Sequence, residues 1–217
     1  MTTLDTSRQI PQIWSAQGWQ ADASLGVTVS DSGAWVLPGI ANLHSHAFQR
    51  AMAGLAEYQT HAQDSFWTWR ETMYRFAARM TPESTYAVAT QLYAEMLEAG
   101  YTSVCEFHYL HHQPDGRAYA DPAAMSRALI AAARDTGIRM TLLPVLYMTG
   151  GFDGRVLNAR QQRFGHDTEA FLRLLETLRA GQDARLRIRC AFHSLPPVPG
   201  AARREALSVL PGGVPGH

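Results

Sequence analysis

The sequence predicts an α/β fold in which parallel strands alternate with helices. From Trp35 onward, short apolar and β-branched segments of strand length alternate with longer segments of helical period. Glycine and proline residues separate many of these segments, as expected where helices and strands end. Because strands separated by helices form parallel sheets with right-handed crossovers, the pattern indicates a β/α architecture.

The length of the chain determines how much of such a fold it holds. The 217 residues contain four β/α units and the beginning of a fifth. A doubly wound sheet could close at that size, whereas an eight-fold barrel needs about 250 residues. If the fold is a barrel, we expect a partial (β/α)8 TIM barrel preceded by a short N-terminal β segment.

The N-terminal third is expected to contain the first barrel strand. Residues 1–35 are polar and irregular, with strand-like stretches at Leu25–Val29 and Trp35–Val36. The segment WVLPGIANLHSH predicts a strand that ends at His46, and the aromatic-rich segment Ser65–Met80 predicts a helix. These elements place a turn before the first barrel strand and a polar loop after it.

The next helix has clear signals at both ends. Thr81 is a suitable N-cap, Pro82 suits the first turn and Glu83 lies near the positive end of the helix dipole. The helix is expected to run to Glu98, and Gly100 ends it. Further along, we predict a strand over Thr102–His108, a helix over Pro122–Asp135, a strand over Arg139–Tyr147, a helix over Thr168–Ala180, a strand formed by RLRIRCAFHS, a short helix over Arg203–Leu210 and a fifth strand beginning at GGVPGH.

Composition excludes several classes of function. The formal charge is zero, so the chain lacks the excess of basic residues that is typical of nucleic-acid-binding proteins. All 19 basic residues are arginines, which excludes catalysis by a lysine of this chain. Cys105 and Cys190 are too few for a disulfide framework. The first 25 residues lack the apolar core of a signal peptide, and no apolar run reaches 18 residues, so we expect a cytoplasmic protein without membrane partners.

The strongest local signal is the motif His44-Ser45-His46 at the end of a predicted strand. Residues two apart in a strand point to the same face, so the two imidazoles lie side by side and can chelate a divalent metal. With nine histidines in 217 residues, such a pair also arises by chance. The turn before the strand and the polar loop after it favour the metal site.

Other polar residues follow the predicted strands, where active sites of β/α barrels are built. Glu106, His108 and Tyr109 lie at the end of the second strand, and His193 and Ser194 lie at the end of the fourth. We interpret the remaining internal histidines as ordinary polar loop residues; they are His61, His111, His112 and His166.

An arginine within an aromatic segment is a candidate for binding an anionic substrate. Arg70 directly follows Trp67-Thr68-Trp69, and a guanidinium can bind a carboxylate through two parallel hydrogen bonds. Trp67 and Trp69 have an alternative interpretation as core residues. The sequence has neither a glycine-rich phosphate loop nor a GxSxG nucleophile motif.

Several sequence blocks resemble a known family. VLPGIANLHSHAFQRAMAGL resembles the first-strand signature of the amidohydrolase superfamily, a group of metal-dependent hydrolases. HSHAFQR, DSFWTWRETMYR, EMLEAGYTSVCEFHYLHH and GIRMTLLPVLY, in that order, resemble the formimidoylglutamate deiminases of histidine degradation. The resemblance implies a barrel of the metal-dependent hydrolase type over residues 36–217, and residues 1–35 as a remnant of a small β-sandwich domain.

The resemblance also implies a reaction and a set of site residues. Zn²⁺ would promote hydrolysis of N-formimidoyl-L-glutamate to N-formyl-L-glutamate and ammonia, and the full-length form would be a homodimer. His44 and His46 match the two first-strand zinc ligands. The family positions that contact the small-molecule substrate correspond to Gln49, Arg70, Tyr109 and His193.

Two departures from the family pattern affect what is expected of this chain. Pro196 stands where the family has an arginine, which would remove one carboxylate contact. His217 matches the start of the fifth-strand segment, so the family's catalytic residues lie beyond it and the barrel is expected to be truncated at strand 5. We therefore expect impaired deimination, and two alternatives stay open: another deaminase of the superfamily, or a non-catalytic fragment.

Overall fold

A computed structural model describes residues 13–15, 18–20, 28–57, 63, 65–151, 153–193, 198 and 200–208. The chain divides into two compact units, Met1–Ile40 and Ala41–His217. In the first unit, β1 (Ile13–Ser15) pairs antiparallel with β2 (Gly18–Gln20), and β3 (Thr28–Val29) pairs antiparallel with β4 (Trp35–Val36). Among the described residues, this unit therefore contains two short antiparallel strand pairs.

The second unit is built on a five-stranded sheet. Its strands are β5 (Ile40–Ser45), β6 (Tyr101–His108), β7 (Arg139–Leu146), β8 (Leu186–Ile188) and β9 (Ala191–Phe192). They lie in the order β5-β6-β7-β8, with β9 also paired to β7. The pairs β6–β7, β7–β8 and β7–β9 are parallel, so the carboxyl ends of these strands share one edge of the sheet.

Helices connect these strands, and this alternation confirms the predicted fold class. The α-helices are α1 (Phe66–Ala77), α2 (Pro82–Glu98), α3 (Ala124–Thr136), α4 (Thr168–Arg179) and α5 (Gly200–Ser208). Short 3-10 helices span Ala47–Met52 and Gln162–Phe164. Among the described residues, no helix is both long and apolar enough to cross a membrane.

The helix ends follow from local side-chain chemistry. Thr81 caps α2 as predicted, because its hydroxyl accepts a hydrogen bond from the backbone N–H of Ser84, and Ser65 caps α1 in the same way. Gly137 ends α3 with a left-handed backbone, φ +84°, which glycine adopts without strain. Asp167 accepts a hydrogen bond from the N–H of Ala170 at 2.7 Å and so caps α4.

The predicted fourth strand differs from the structure, because β8 and β9 are separate segments. Ile188 pairs with Leu142 and Ala191 pairs with Val145, so both segments keep the same register along β7. Arg189, which lies between β8 and β9, therefore interrupts the predicted strand locally without changing its register on β7. The first barrel strand also ends at Ser45, one residue earlier than predicted. The predicted start of a fifth strand at GGVPGH lies outside the described residues.

Apolar side chains of α2, α3 and α4 pack together with those of the sheet to form the main core. On α4 the buried residues are Phe171, Leu174, Leu175 and Leu178, which recur at helical spacing. Leu172, predicted on the same face, is partly buried at its edge. A second apolar cluster lies around the residues that follow β6 and β7, and it includes Phe107, Tyr109 and Tyr147.

A buried arginine ties this second cluster to the end of α1. Arg163 is only 1% exposed, and its guanidinium donates hydrogen bonds to the carbonyl oxygens of Ala77, Met80 and His112. Its own carbonyl accepts from the N–H groups of His111 and His112. The guanidinium thus supplies donors to buried carbonyl groups at and just after the carboxyl end of α1, where Ala77 also accepts from the N–H of Met80 at 3.2 Å.

Replacing this arginine should destabilise the fold strongly. Arg163→Met removes one donor from each of three carbonyl groups, so we expect the free energy of unfolding to fall by roughly 2–4 kcal/mol. The measurement is urea denaturation of both proteins. The matched control is Arg127→Met, which breaks an exposed ion pair with Asp121 and should cost less than about 1 kcal/mol. Equal losses for the two variants would contradict the anchoring role.

Candidate active site

A cavity of about 470 Å³ lies where β6, β7 and β9 end. Phe107 and Tyr109 reach it from the end of β6, Tyr147 from the end of β7 and His193 from the end of β9. The complete lining is His46, Gln49, Phe66, Trp67, Trp69, Arg70, Met73, Tyr74, Phe107, Tyr109, Tyr147, Gly150, Gly151, Arg155, Phe164 and His193. This is the edge of the sheet at which barrel proteins carry their active sites.

The two histidines of the HSH motif converge, and His46 lines the cavity. The Nε2 atoms of His44 and His46 are 3.0 Å apart. His46 Nδ1–H donates to the carbonyl oxygen of Phe107 at 2.9 Å, because a carbonyl can only accept. Its Nε2 atom therefore carries the lone pair. Burial lowers the pKa of His46 to about 4, so the ring is neutral and able to bind a metal at neutral pH.

This geometry fits two ligands of one zinc ion. Two nitrogens bound to zinc at about 2.0–2.1 Å in a tetrahedral arrangement are roughly 3.4 Å apart, close to the separation of the two Nε2 atoms. The hydrogen bond from His46 to Phe107 is the type of contact that fixes the tautomer of a metal-binding histidine. No group of three or more His, Cys, Asp or Glu side chains within the described ranges is arranged to hold a metal ion.

A buried carboxylate supports the backbone next to this motif. Glu106 is 2% exposed and accepts a hydrogen bond from the N–H of Ala47 at 2.6 Å and another from the hydroxyl of Tyr93 at 3.2 Å. Burial raises the pKa of Glu106 to about 7. Because Ala47 directly follows His46, Glu106 fixes the chain at the point where it leaves β5.

Arg70 lies in the cavity wall and is held by its neighbours. Its Nε and Nη2 atoms donate to the hydroxyl of Tyr74 at 3.1 and 2.7 Å. The guanidinium also lies over the rings of Trp67 and Tyr74, 5.6 and 5.2 Å from their centroids. Trp67 is 65% exposed, so its alternative interpretation as a core residue is wrong. The arrangement presents a positioned cation to the cavity.

The remaining predicted substrate-binding residues lie on the same cavity. Gln49 Nε2 donates to the hydroxyl of Tyr109 at 3.1 Å. His193 packs against Tyr147 and Tyr109, with ring centroids 4.5 and 5.6 Å away. Burial lowers the pKa of His193 and raises the pKa of Tyr109, so both side chains are neutral at neutral pH. Ser194 and Pro196, singled out from the sequence, lie outside the described residues.

Several cavity residues were not found from the sequence. Tyr74 is four residues after Arg70 in α1, and that spacing alone places the two side chains together. Tyr147, whose hydroxyl accepts from Gln161 Nε2 at 3.0 Å, follows β7 as a polar strand-end residue. Arg155 lies in a loop, and no periodic pattern points to it. Conversely, Glu106 and His108 lie near the end of β6, where the sequence predicts site residues, yet neither lines the cavity.

His111, His112 and His166 lie in loops as predicted, but they are not exposed polar residues, because their rings pack together with that of buried His108. His111 is 1% exposed, and its ring centroid is 4.9 Å from His108 and 4.4 Å from His166. His112 is 4.6 Å from His166. The Nε2–H groups of His111 and His112 donate to the carbonyls of Val145 and Gly165. His61 lies outside the described residues.

Fold and site together define a β/α protein of the partial (β/α)8-barrel type, with a histidine pair and an arginine at the carboxyl edge of its sheet. The chain belongs to the amidohydrolase family, whose family model matches residues 35–202. It is similar to formimidoylglutamate deiminase of Pseudomonas aeruginosa, with 57% identity over 164 residues. That match covers 75% of this chain and 36% of the relative, so the chain spans about a third of the relative's length.

Other relatives and solved structures agree with this family. 8-Oxoguanine deaminase of Pseudomonas aeruginosa is 33% identical over 75 residues, 35% of this chain and 16% of that protein. An amidohydrolase from Brucella melitensis has a TM-score of 0.76 and 42% identity, covering 85% of this chain and 46% of its own. Atrazine chlorohydrolase from Arthrobacter aurescens, crystallised with zinc, has a TM-score of 0.59 and 22% identity, covering 73% and 35%, and shows the fold alone.

The buried histidine cluster predicts a fold that weakens in mild acid. Burial lowers the pKa of His108 and the pKa of His166 to about 3. Nearby Arg163 lowers the pKa of His108 further, whereas Asp167 partly opposes the lowering at His166. Unfolded histidines take up protons below pH of about 6.5, so stability is complete above that pH and is lost as the pH falls towards about 3. Each of the two residues should remove about 1.4 kcal/mol per pH unit.

Urea denaturation between about pH 6.5 and about pH 4.5 measures this loss. His166→Gln should lower the slope of stability against pH by about one proton relative to the parent chain. His44→Gln, which lies outside the cluster, is the matched control. If the slope of stability against pH is the same in all three proteins, the buried histidine cluster is not what weakens the fold in acid.

Proposed function

We propose that this site serves the zinc-dependent hydrolytic deimination of N-formimidoyl-L-glutamate to N-formyl-L-glutamate and ammonia. The observation that carries the proposal is that Arg70 and His46 line one cavity, with Nε2 of His44 3.0 Å from Nε2 of His46. The 57% identity to a formimidoylglutamate deiminase supports the choice of substrate. On this proposal the substrate is a small molecule of histidine degradation, the site works in the cytoplasm, and the full-length form is a homodimer.

The binding part of the reaction follows from the described side chains. The substrate carries two carboxylates, and Arg70 is a positioned guanidinium that can bind one of them through two hydrogen bonds. Gln49 and Tyr109 lie beside each other and offer neutral donors and acceptors to the polar end of the substrate. His193, kept neutral by burial, offers a further hydrogen bond.

We infer that His44 and His46 hold the metal through their Nε2 atoms. When bound, zinc would lower the pKa of a water molecule and supply hydroxide for attack on the formimidoyl carbon. Zinc sites of hydrolases use at least three protein ligands, and the two histidines would provide two of them. The hydrogen bond to Phe107 and the carboxylate of Glu106 keep the motif in the geometry that brings these nitrogens together.

A second candidate is deamination of a heterocycle, which the aromatic lining favours. Trp67, Trp69 and Phe107 are among the aromatic residues of the cavity, and such rings stack well on a planar base. A neutral heterocycle, however, does not require the guanidinium of Arg70. The two candidates therefore differ in whether the charge of Arg70 matters for binding.

Zinc affinity tests the metal part of the proposal. His46→Ala and His44→Ala each remove one of two imidazole ligands, so each should weaken zinc binding by about 10-fold or more in a chelator competition assay. Gln49→Ala is the matched control, because it changes the same cavity without removing an imidazole. Unchanged affinity in both histidine variants would exclude the proposed site.

Calorimetric binding of N-formyl-L-glutamate, the proposed product, tests the substrate part. Arg70→Gln removes a charge-assisted contact to a carboxylate, so the dissociation constant should rise about 10- to 100-fold. Binding of guanine, a neutral heterocycle, should be absent or insensitive to this change. If guanine binds more tightly than N-formyl-L-glutamate, the deiminase proposal fails and the second candidate gains support.

A further inference from the structure

We propose that Arg155 is a specificity-determining residue that binds the second carboxylate of the substrate. The inference rests on the proposed function, because a dianionic substrate is what requires a second cation. Arg155 lines the same cavity as Arg70, His46 and His193. No resemblance or motif pointed to this residue, and the structure alone brings it to the site.

The loop after β7 is folded so that Arg155 returns to the cavity. The N–H of Gly150 donates to the carbonyl of Arg155 at 2.7 Å, which closes the loop at its base. Within it, Gly154 has φ +73° and its N–H donates to the carbonyl of Gly151 at 3.2 Å. A left-handed turn of this kind favours glycine. The closed base holds the backbone of Arg155 near the end of β7, and its side chain, about two-thirds exposed, lines the cavity from there.

One glycine makes room for the guanidinium, and another lets the loop that carries it close tightly. A Cβ atom at Gly151 would lie 2.6 Å from both Nε and Nη2 of Arg155. A Cβ atom at Gly150 would lie 2.7 Å from the carbonyl oxygen of Val156. The guanidinium therefore lies directly against the backbone of Gly151, in a space that any larger residue would fill. This close approach places the cation in the cavity wall.

The charge balance of the cavity favours an anion. Arg70 and Arg155 both line it, and none of its described lining residues is an aspartate or glutamate. Asp153 lies 3.4 Å from Arg155, but both side chains are about two-thirds exposed, so this pair is weak. By contrast, the neighbouring Arg160 forms an ion pair with Glu71 and does not line the cavity. Arg155 is thus available to a ligand.

Two guanidinium groups that line one cavity match a substrate with two carboxylates. Each planar guanidinium can bind one carboxylate through two parallel hydrogen bonds. Arg70 is fixed by Tyr74, whereas Arg155 is held by its loop, so the two cations come from different elements. A substrate with a single carboxylate would leave one of them without a partner. Arg155 should therefore contribute to choosing a dicarboxylate over a monocarboxylate.

The test compares three ligands by calorimetry on the zinc-loaded chain. N-formyl-L-glutamate carries both carboxylates, N-formyl-L-glutamine lacks the side-chain charge, and 4-formamidobutanoate lacks the α-carboxylate. We expect the parent chain to bind the dicarboxylate about 10-fold or more tightly than either analogue. Arg155→Gln should abolish the preference for the dicarboxylate over the analogue that lacks the carboxylate bound by Arg155, and it should keep the preference over the other analogue. Arg155→Lys should restore part of the lost preference.

Arg127→Gln, which removes an exposed arginine paired with Asp121, is the matched control and should keep both preferences. If Arg155→Gln keeps both preferences, the role of Arg155 is wrong while the proposed function stands. If Arg127→Gln loses a preference as well, the effect is general electrostatics and the proposal is also wrong. If the parent chain does not prefer the dicarboxylate at all, the proposed function itself fails.

Discussion

The hydrogen bond between the imidazole of His46 and the carbonyl of Phe107 is the contact on which the site depends. It joins the residue that follows β5 to the last part of β6, and it decides which ring nitrogen of His46 faces His44. Glu106 reinforces the same junction by accepting from the N–H of Ala47. These two contacts add to the pairing of β5 with β6 and fix how the residues that follow β5 face the cavity.

The alternation of side chains along β6 separates two environments. Phe107 and Tyr109 point into the cavity, whereas Glu106 and His108 point to the other side and are buried there. Glu106 meets Tyr93 and the backbone, and His108 joins the histidine cluster around Arg163. Consecutive residues of one strand thus supply both the walls of the site and the polar interior that supports it.

The sequence predicted much of the fold, because helix caps and strand-length apolar runs are local signals. The first turn of α2 at Thr81 follows directly from such a signal, as does the end of α3 at Gly137. Individual site residues were harder, because strand-end position alone does not say which side chain turns inward, as Glu106 shows. Arg155 could not be predicted, since its place depends on how a loop closes through backbone contacts between distant residues. The family resemblance supplied most of the remaining site.

The central claim is that His44 and His46 together bind one metal ion through their Nε2 atoms. X-ray absorption spectroscopy of the zinc-loaded chain measures this coordination directly. The account predicts imidazole scattering from two histidines at a zinc–nitrogen distance of about 2.0–2.1 Å, with scattering from one histidine lost in His46→Ala. A spectrum without imidazole contributions, or one that His46→Ala leaves unchanged, would contradict it.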